Sequence, residues 1–227
     1  MRASFLIPAC VLLVACPAVA RADPTEPEKA WLERVLLGTN PASPGVYCVR
    51  WVKKTPTVSA FGAKLGQAKA VEDAVESLNL VLDTTPIKKL ELAKPDDKEA
   101  DIKVHFAAEK EFANLGKKYD FKAEKGKKTY AYVFWNARRE LTSGIVLIPS
   151  DSRGDELKHY VLREMTRALG FQGKSPEYAD SIFYEKDKAS TSAADLNRRD
   201  RKLVNFLYNH IEPGMKLKEV QAQYKHW

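Results

Sequence analysis

The sequence predicts an α+β domain built on a twisted mixed β-sheet, and three observations carry that expectation. Helix-period apolar stripes occur at 26–37, 67–82 and 154–171. Short β-former runs lie between them, from residue 46 to residue 149. No internal repeat or low-complexity segment interrupts the order, and the 227 residues suffice for one ordinary core.

The chain opens on an export signal, residues 1–22. Arg2 is its charged end, residues 3–15 are apolar, and Ala20-Arg21-Ala22 is a small-x-small cleavage site before Asp23. The apolar run is too short to span a bilayer. Leu13-Val14-Ala15-Cys16 also reads as a bacterial lipoprotein cleavage box, in which Cys16 would carry lipid and tether the protein to a membrane. A secreted or periplasmic product is therefore expected, with a Cys16-anchored lipoprotein as the alternative. Residues 23–227 form a single domain in this reading, with a helical C-terminal part at 172–227.

Removing the signal takes away Cys10 and Cys16 and leaves Cys48, so no internal disulfide is available. Cys48 lies in an apolar run and reads as a buried, inert thiol. Without Arg2 and Arg21 the basic count falls from 37 to 35 against 30 acids, a net charge of +5. Lysines gather at Lys117, Lys118, Lys122, Lys125, Lys127 and Lys128, a loop that is either simply solvated or placed to touch anionic envelope polymers. No nucleic-acid motif accompanies them, and a nucleic-acid partner is not expected.

Within the mature chain, 26–37 is a helix with Trp31 and Val35 inward, followed by a Pro- and Gly-containing loop at 39–45. Val46 to Val52 alternates and predicts a strand, and 57–61 a second strand or extended arm. A strong helix follows at 67–82, with Ala70, Ala74, Leu78 and Val81 on one face. Strands are expected at 87–92, 100–106, 129–135 and 142–149, the last apolar enough to be covered on both faces. A short helix at 109–119 leads into the lysine loop.

The stretch 154–171, GDELKHYVLREMTRALGF, dominates the second half. Leu157, Val161, Glu164, Ala168 and Phe171 recur at helical spacing, and Gly170 suits the left-handed residue that closes a helix. Beyond it come a polar loop at 174–178, the run Asp180-Ser181-Ile182-Phe183-Tyr184, and a helix at 196–210 with Ser192 and Asp195 as capping groups. One more helix is expected within 216–227.

The frame Arg163-Glu164-Met165-Thr166-Arg167-Ala168-Leu169-Gly170 resembles the active-site helix of the zincin metalloproteases, metzincins in particular. In that family two His four residues apart share a helix face and hold zinc, while the Glu after the first polarises the bound water. Glu164 and Gly170 stand where the pattern has them. Both His positions are Arg, the third-ligand position is Gly173, and Phe183 takes the place of the Met in the turn that follows. Residues 163–215 also resemble the DUF2927 type of secreted bacterial protein, with its Glu-bearing helix, Ser-Ile-Phe turn, Asp-led helix and closing Pro-Gly-Met. The resemblance implies a zincin-like fold, a twisted mixed sheet packed with an N-terminal-side helix and a motif-bearing helix. No activity is implied by DUF2927 membership.

Guanidinium has no lone pair to offer and stays protonated, so two of them about 6 Å apart on a helix face repel a divalent ion. No metal and no cofactor are expected, nor peptidase activity. The candidate site residues are Arg163, Arg167 and His159, a stripe suited to an anion such as a carboxylate or phosphate. The plainer reading pairs Glu164 with Arg167 and Arg163 with an acid from elsewhere in the fold. The partner expected is a peptide or an anionic envelope polymer. An alternative is a zinc-dependent hydrolase with an atypical metal set and Glu164 as general base, and a second is a purely structural envelope protein. Asp96-Asp97 reads as an exposed turn, and no Gly-x-Ser-x-Gly elbow is present.

Overall fold

A computed structural model of the chain describes residues 23–123, 126–186, 189–190 and 193–227. Residues 1–22, where an export signal is expected, lie outside the described residues, Cys16 among them. The chain begins with helix α1 (Glu26–Leu37), whose first turn is closed by the Thr25 N–H donating to the Glu28 carboxylate at 3.0 Å. Strand β1 (Thr57–Phe61), helix α2 (Leu65–Leu82), strand β2 (Glu91–Leu92) and strand β3 (Ile102–Ala107) follow. A 3-10 turn then enters helix α3 (Phe112–Lys118), and strands β4 (Tyr130–Trp135) and β5 (Leu141–Pro149) lead to helix α4 (Gly154–Ala168). The two-residue strands β6 (Glu185–Lys186) and β7 (Ala189–Ser190), helix α5 (Arg198–His210), helix α6 (Leu217–Gln221) and a closing 3-10 turn (Tyr224–His226) complete the order. Among the described residues no helix is long and apolar enough to cross a membrane.

The main sheet runs β2-β1-β3-β5-β4. Its first four strands are parallel and β4 lies antiparallel on β5, with Tyr130 opposite Leu147 and Val133 opposite Gly144. Period-two alternation sorts its residues onto two faces. Ile102, Val104, Val146 and Ile148 join the large core with α1, α2, α4 and α5, while Ile145, Leu147 and Tyr130 pack with Phe112 and Phe121 in a smaller cluster on the other face. β5 is thus covered on both sides, as its apolar run implies. This is the mixed-sheet layout that the zincin resemblance led us to expect, with α2 and the motif helix α4 in contact beside the sheet.

Three expectations are corrected. Residues 46–52 are extended and largely buried but do not form a strand. Their backbone is spent on loops, with Cys48 exchanging hydrogen bonds of 2.8 Å with Met215 and Gly214, and Arg50 meeting Glu140 in a lone bridge while its carbonyl accepts from the Leu141 N–H of β5 at 2.9 Å. Of 87–92, only 91–92 pairs, because the Asn79 side chain captures both backbone groups of Leu90 at 2.7 and 3.0 Å and Lys88 turns left-handed at φ 59°. The helix expected from 196 starts at Arg198, capped by the Asn197 side chain accepting from the Asp200 N–H at 2.8 Å, not by Asp195. Ser192 lies outside the described residues. Cys48 is buried as expected, and burial pushes its thiol up to about 12.

Candidate functional site

α4 leaves the C-terminal end of β5 through the turn at 150–153 and crosses beside β4 and β5. Its closing carbonyls are satisfied by distant side chains. The Trp51 indole N–H donates to Ala168 at 3.0 Å and the Tyr208 hydroxyl to Leu169 at 2.7 Å. Gly170 ends the helix at φ 119°, and a Cβ there would overlap the Val49 carbonyl, so position and residue type are both dictated by packing.

Glu164 faces inward and is 0% exposed, as its place in the apolar stripe implies. Its Oε2 accepts from Arg167 Nη1 at 2.7 Å, and its Oε1 from Arg163 Nε at 3.0 Å and the Thr129 hydroxyl at 2.7 Å. Arg163 Nη2 donates to the same Thr129 oxygen at 2.7 Å. Thr129, just before β4, therefore locks the edge strand to the helix. The acid that meets Arg163 is its own neighbour in sequence, not one from elsewhere in the fold. Burial by itself raises the Glu164 pKa, but the guanidiniums of Arg167 and Arg163 and the Thr129 hydroxyl outweigh it and hold the carboxyl at about 2.

His159 lies one turn earlier, with Nε2 3.3 Å from Arg163 Nη1 and Nδ1 2.8 Å from the Ala193 carbonyl. A carbonyl only accepts and a guanidinium only donates, so Nδ1 carries the proton and Nε2 presents its lone pair to Arg163. Burial and the nearby Arg163 both lower the His159 pKa, in keeping with a neutral ring. All three of Arg163's nitrogens are thus engaged. Lys174 stands close enough to act on Glu164 and is itself paired with Glu185, while burial and Arg163 push its pKa down.

Zinc does not fit these residues. Both carboxylate oxygens of Glu164 are occupied, the His159 lone pair is taken, and the two positions that bear imidazoles in the zincin frame carry guanidiniums. The third-ligand position has no room for any side chain, since a Cβ on Gly173 would overlap the Arg34 carbonyl of α1. Among the described residues no group of three or more His, Cys, Asp and Glu is arranged to hold a metal ion.

The other histidines lie apart from this cluster. His105 is buried on β3, accepts or donates to Tyr119 at 2.9 Å, and burial lowers its pKa to about 4. His210 stacks on His226 at 4.6 Å and does not meet His159. Of the Asp96-Asp97 turn, Asp96 is exposed as expected and Asp97 is half-buried.

Two features escaped the sequence reading. Nothing local distinguishes Thr129 from the β-formers that follow it. The second is Asp200 on α5, also 0% exposed, which accepts from the Ser181 hydroxyl at 2.6 Å and the Ile182 N–H at 3.0 Å and so fixes the Ser181–Phe183 turn. Its spacing of three from Asn197 was the available signal. Phe183 is buried between Phe171 and Trp31, at 5.2 and 6.4 Å, as a core side chain.

No curated protein matches the sequence. Among solved structures, two of myroilysin align at 12% identity. One covers 72% of this chain and 98% of that chain with a TM-score of 0.43, the other 84% and 98% with 0.42. The family model described as "Protein of unknown function (DUF2927)" matches residues 47–226, and the chain belongs to that family.

Proposed function

We propose that this DUF2927 protein is an exported, non-catalytic member of the zincin-like architecture that works by binding, holding a peptide or an anionic polymer of the bacterial envelope. One observation carries the reading: Glu164, the residue that would activate water in a zincin, has both oxygens clamped by Arg163, Arg167 and Thr129. A carboxylate held at about 2 is a poor proton acceptor at neutral pH. The exposed lysines Lys117 and Lys118 in the last turn of α3, with Lys122 in the loop after it, support an anionic partner.

The test is a peptidase assay on the purified mature protein, with added zinc and with chelator, alongside Glu164→Gln. We expect no turnover in any arm. Zinc-dependent hydrolysis that Glu164→Gln abolishes would overturn the reading in favour of an atypical metallohydrolase. Mass spectrometry of the exported protein tests the leader: an N-terminus at Asp23 is expected, and a lipid on Cys16 would replace a free protein with a tethered one.

A further inference from the structure

Among the described residues, the buried cluster on α4 is not electrically closed. Three cations, Arg163, Arg167 and Lys174, face two carboxylates, Glu164 and Glu185, and His159 is neutral. One positive charge is left over at a place where Arg163 is 4% and Arg167 9% exposed. An uncompensated charge so far out of water is costly, and the usual remedy is a counter-ion.

The surplus is shared by the two guanidiniums around Glu164, but the unmet hydrogen-bond donors belong to one residue. Arg163 spends Nε, Nη1 and Nη2 on Glu164, His159 and Thr129. Arg167 spends only Nη1, on Glu164. Its Nε is a buried donor with no hydrogen-bond partner among the described residues. A buried donor left open in this way calls for a water or an ion. Nε and Nη2 form the side-on edge of a guanidinium, two parallel N–H groups whose spacing matches the two oxygens of a carboxylate.

We propose that Arg167 binds a carboxylate side-on through Nε and Nη2, so that the anion site is this single fork and not a groove shared between Arg163 and Arg167. The assignment deepens the binding reading above and rests on it, because a metal against Glu164 would displace Arg167. The same chemistry is offered by a small free anion such as acetate and by the C-terminal carboxylate of a peptide.

The test titrates the mature protein with sodium acetate at constant ionic strength, reading binding heat and the thermal midpoint. Parallel titrations use one short peptide with a free C-terminus and the same peptide amidated. We expect acetate to raise the midpoint of the wild type and Arg167→Lys, which keeps the cation opposite Glu164 and loses the fork, to weaken binding at least tenfold. Lys54→Gln, on the surface and away from the lysines around Lys122, should bind as the wild type does. Should Arg167→Lys not fold, the Arg167 Nε–H proton of the wild type serves instead: acetate should shift its resonance and slow its exchange with water.

Acetate binding alone identifies a small free anion, and binding of the free-acid peptide but not its amide identifies a chain terminus. Equal responses in wild type and Arg167→Lys, an amidated peptide that binds as well as the free acid, or an Nε–H that ignores acetate would each overturn the assignment. Failure here with no hydrolysis in the peptidase assay removes the anion site and leaves the non-catalytic reading standing. Zinc-dependent hydrolysis removes that reading whatever acetate does.

Discussion

Glu164 on α4 and Asp200 on α5 are both wholly removed from solvent, yet they are pushed in opposite directions. Each accepts hydrogen bonds on both oxygens. Glu164 has cations among its donors, and its carboxyl is held at about 2. Asp200 has a hydroxyl and backbone N–H groups, with the Asp180 charge nearby, and burial raises its carboxyl to about 6. The difference teaches that hydrogen bonds alone do not keep a buried carboxylate charged. Full opposite charges do, and they make their site dependent on every member being present.

The comparison can be broken most forcefully at Glu164. Glu164→Gln leaves two buried guanidiniums unpaired and should cost about 3–5 kcal/mol. At about 2–4 °C per kcal/mol for a domain of this size, a thermal melt resolves it easily. Replacing the triad together, with Arg163→Met, Glu164→Leu and Arg167→Met, should be neutral or stabilising by about 1–4 kcal/mol, because no charge is stranded. A triple variant as unstable as Glu164→Gln would show that the cluster positions the helix as well as balancing charge.

Smaller effects sharpen the contrast. Thr129→Val removes a donor to Glu164 and an acceptor for Arg163, and urea unfolding should register a loss of about 1.5–3 kcal/mol. Asp200→Asn keeps a carbonyl acceptor for the Ser181–Phe183 turn and should cost less, about 1–3 kcal/mol.

The pH dependences have opposite signs. Glu164 titrates lower folded than unfolded, so its contribution is complete above the ordinary value of 4.5 and is lost as pH falls toward about 2. Asp200 titrates higher folded than unfolded, so its contribution is complete below 3.8 and fades as pH rises through about 6. Urea midpoints across pH 2–7 should therefore lose their acid limb in Glu164→Gln. In Asp200→Asn the decline between about 4 and 6 should flatten. Identical profiles for the two variants would remove the distinction.

Much of the fold was legible because it is written in short-range periodicity. α1 has the bounds its stripe implies, α2 begins two residues earlier, and the β5 run is covered on both faces. The misplaced elements share one cause, that backbone hydrogen-bond partners come from distant residues. Residues 46–52 alternate like a strand, but the groups that meet them belong to 214–215 and the start of β5. Leu90 looks like a strand residue until Asn79, eleven residues away, takes its backbone.

For the site, the sequence by itself determined the chemistry. Two arginines stand where imidazoles would be needed, Glu164 lies in an apolar stripe, and no rearrangement of the fold gives a guanidinium a lone pair. Only the tertiary structure decided how those charges are spent. It brought Thr129 across from the sheet, turned Arg163 wholly inward on Glu164 and His159, and left the Nε of Arg167 without a partner among the described residues. It also closed the third-ligand position against the backbone of α1. Residue type fixes what a side chain can donate or accept, but which partners reach it depends on contacts between segments far apart in the chain.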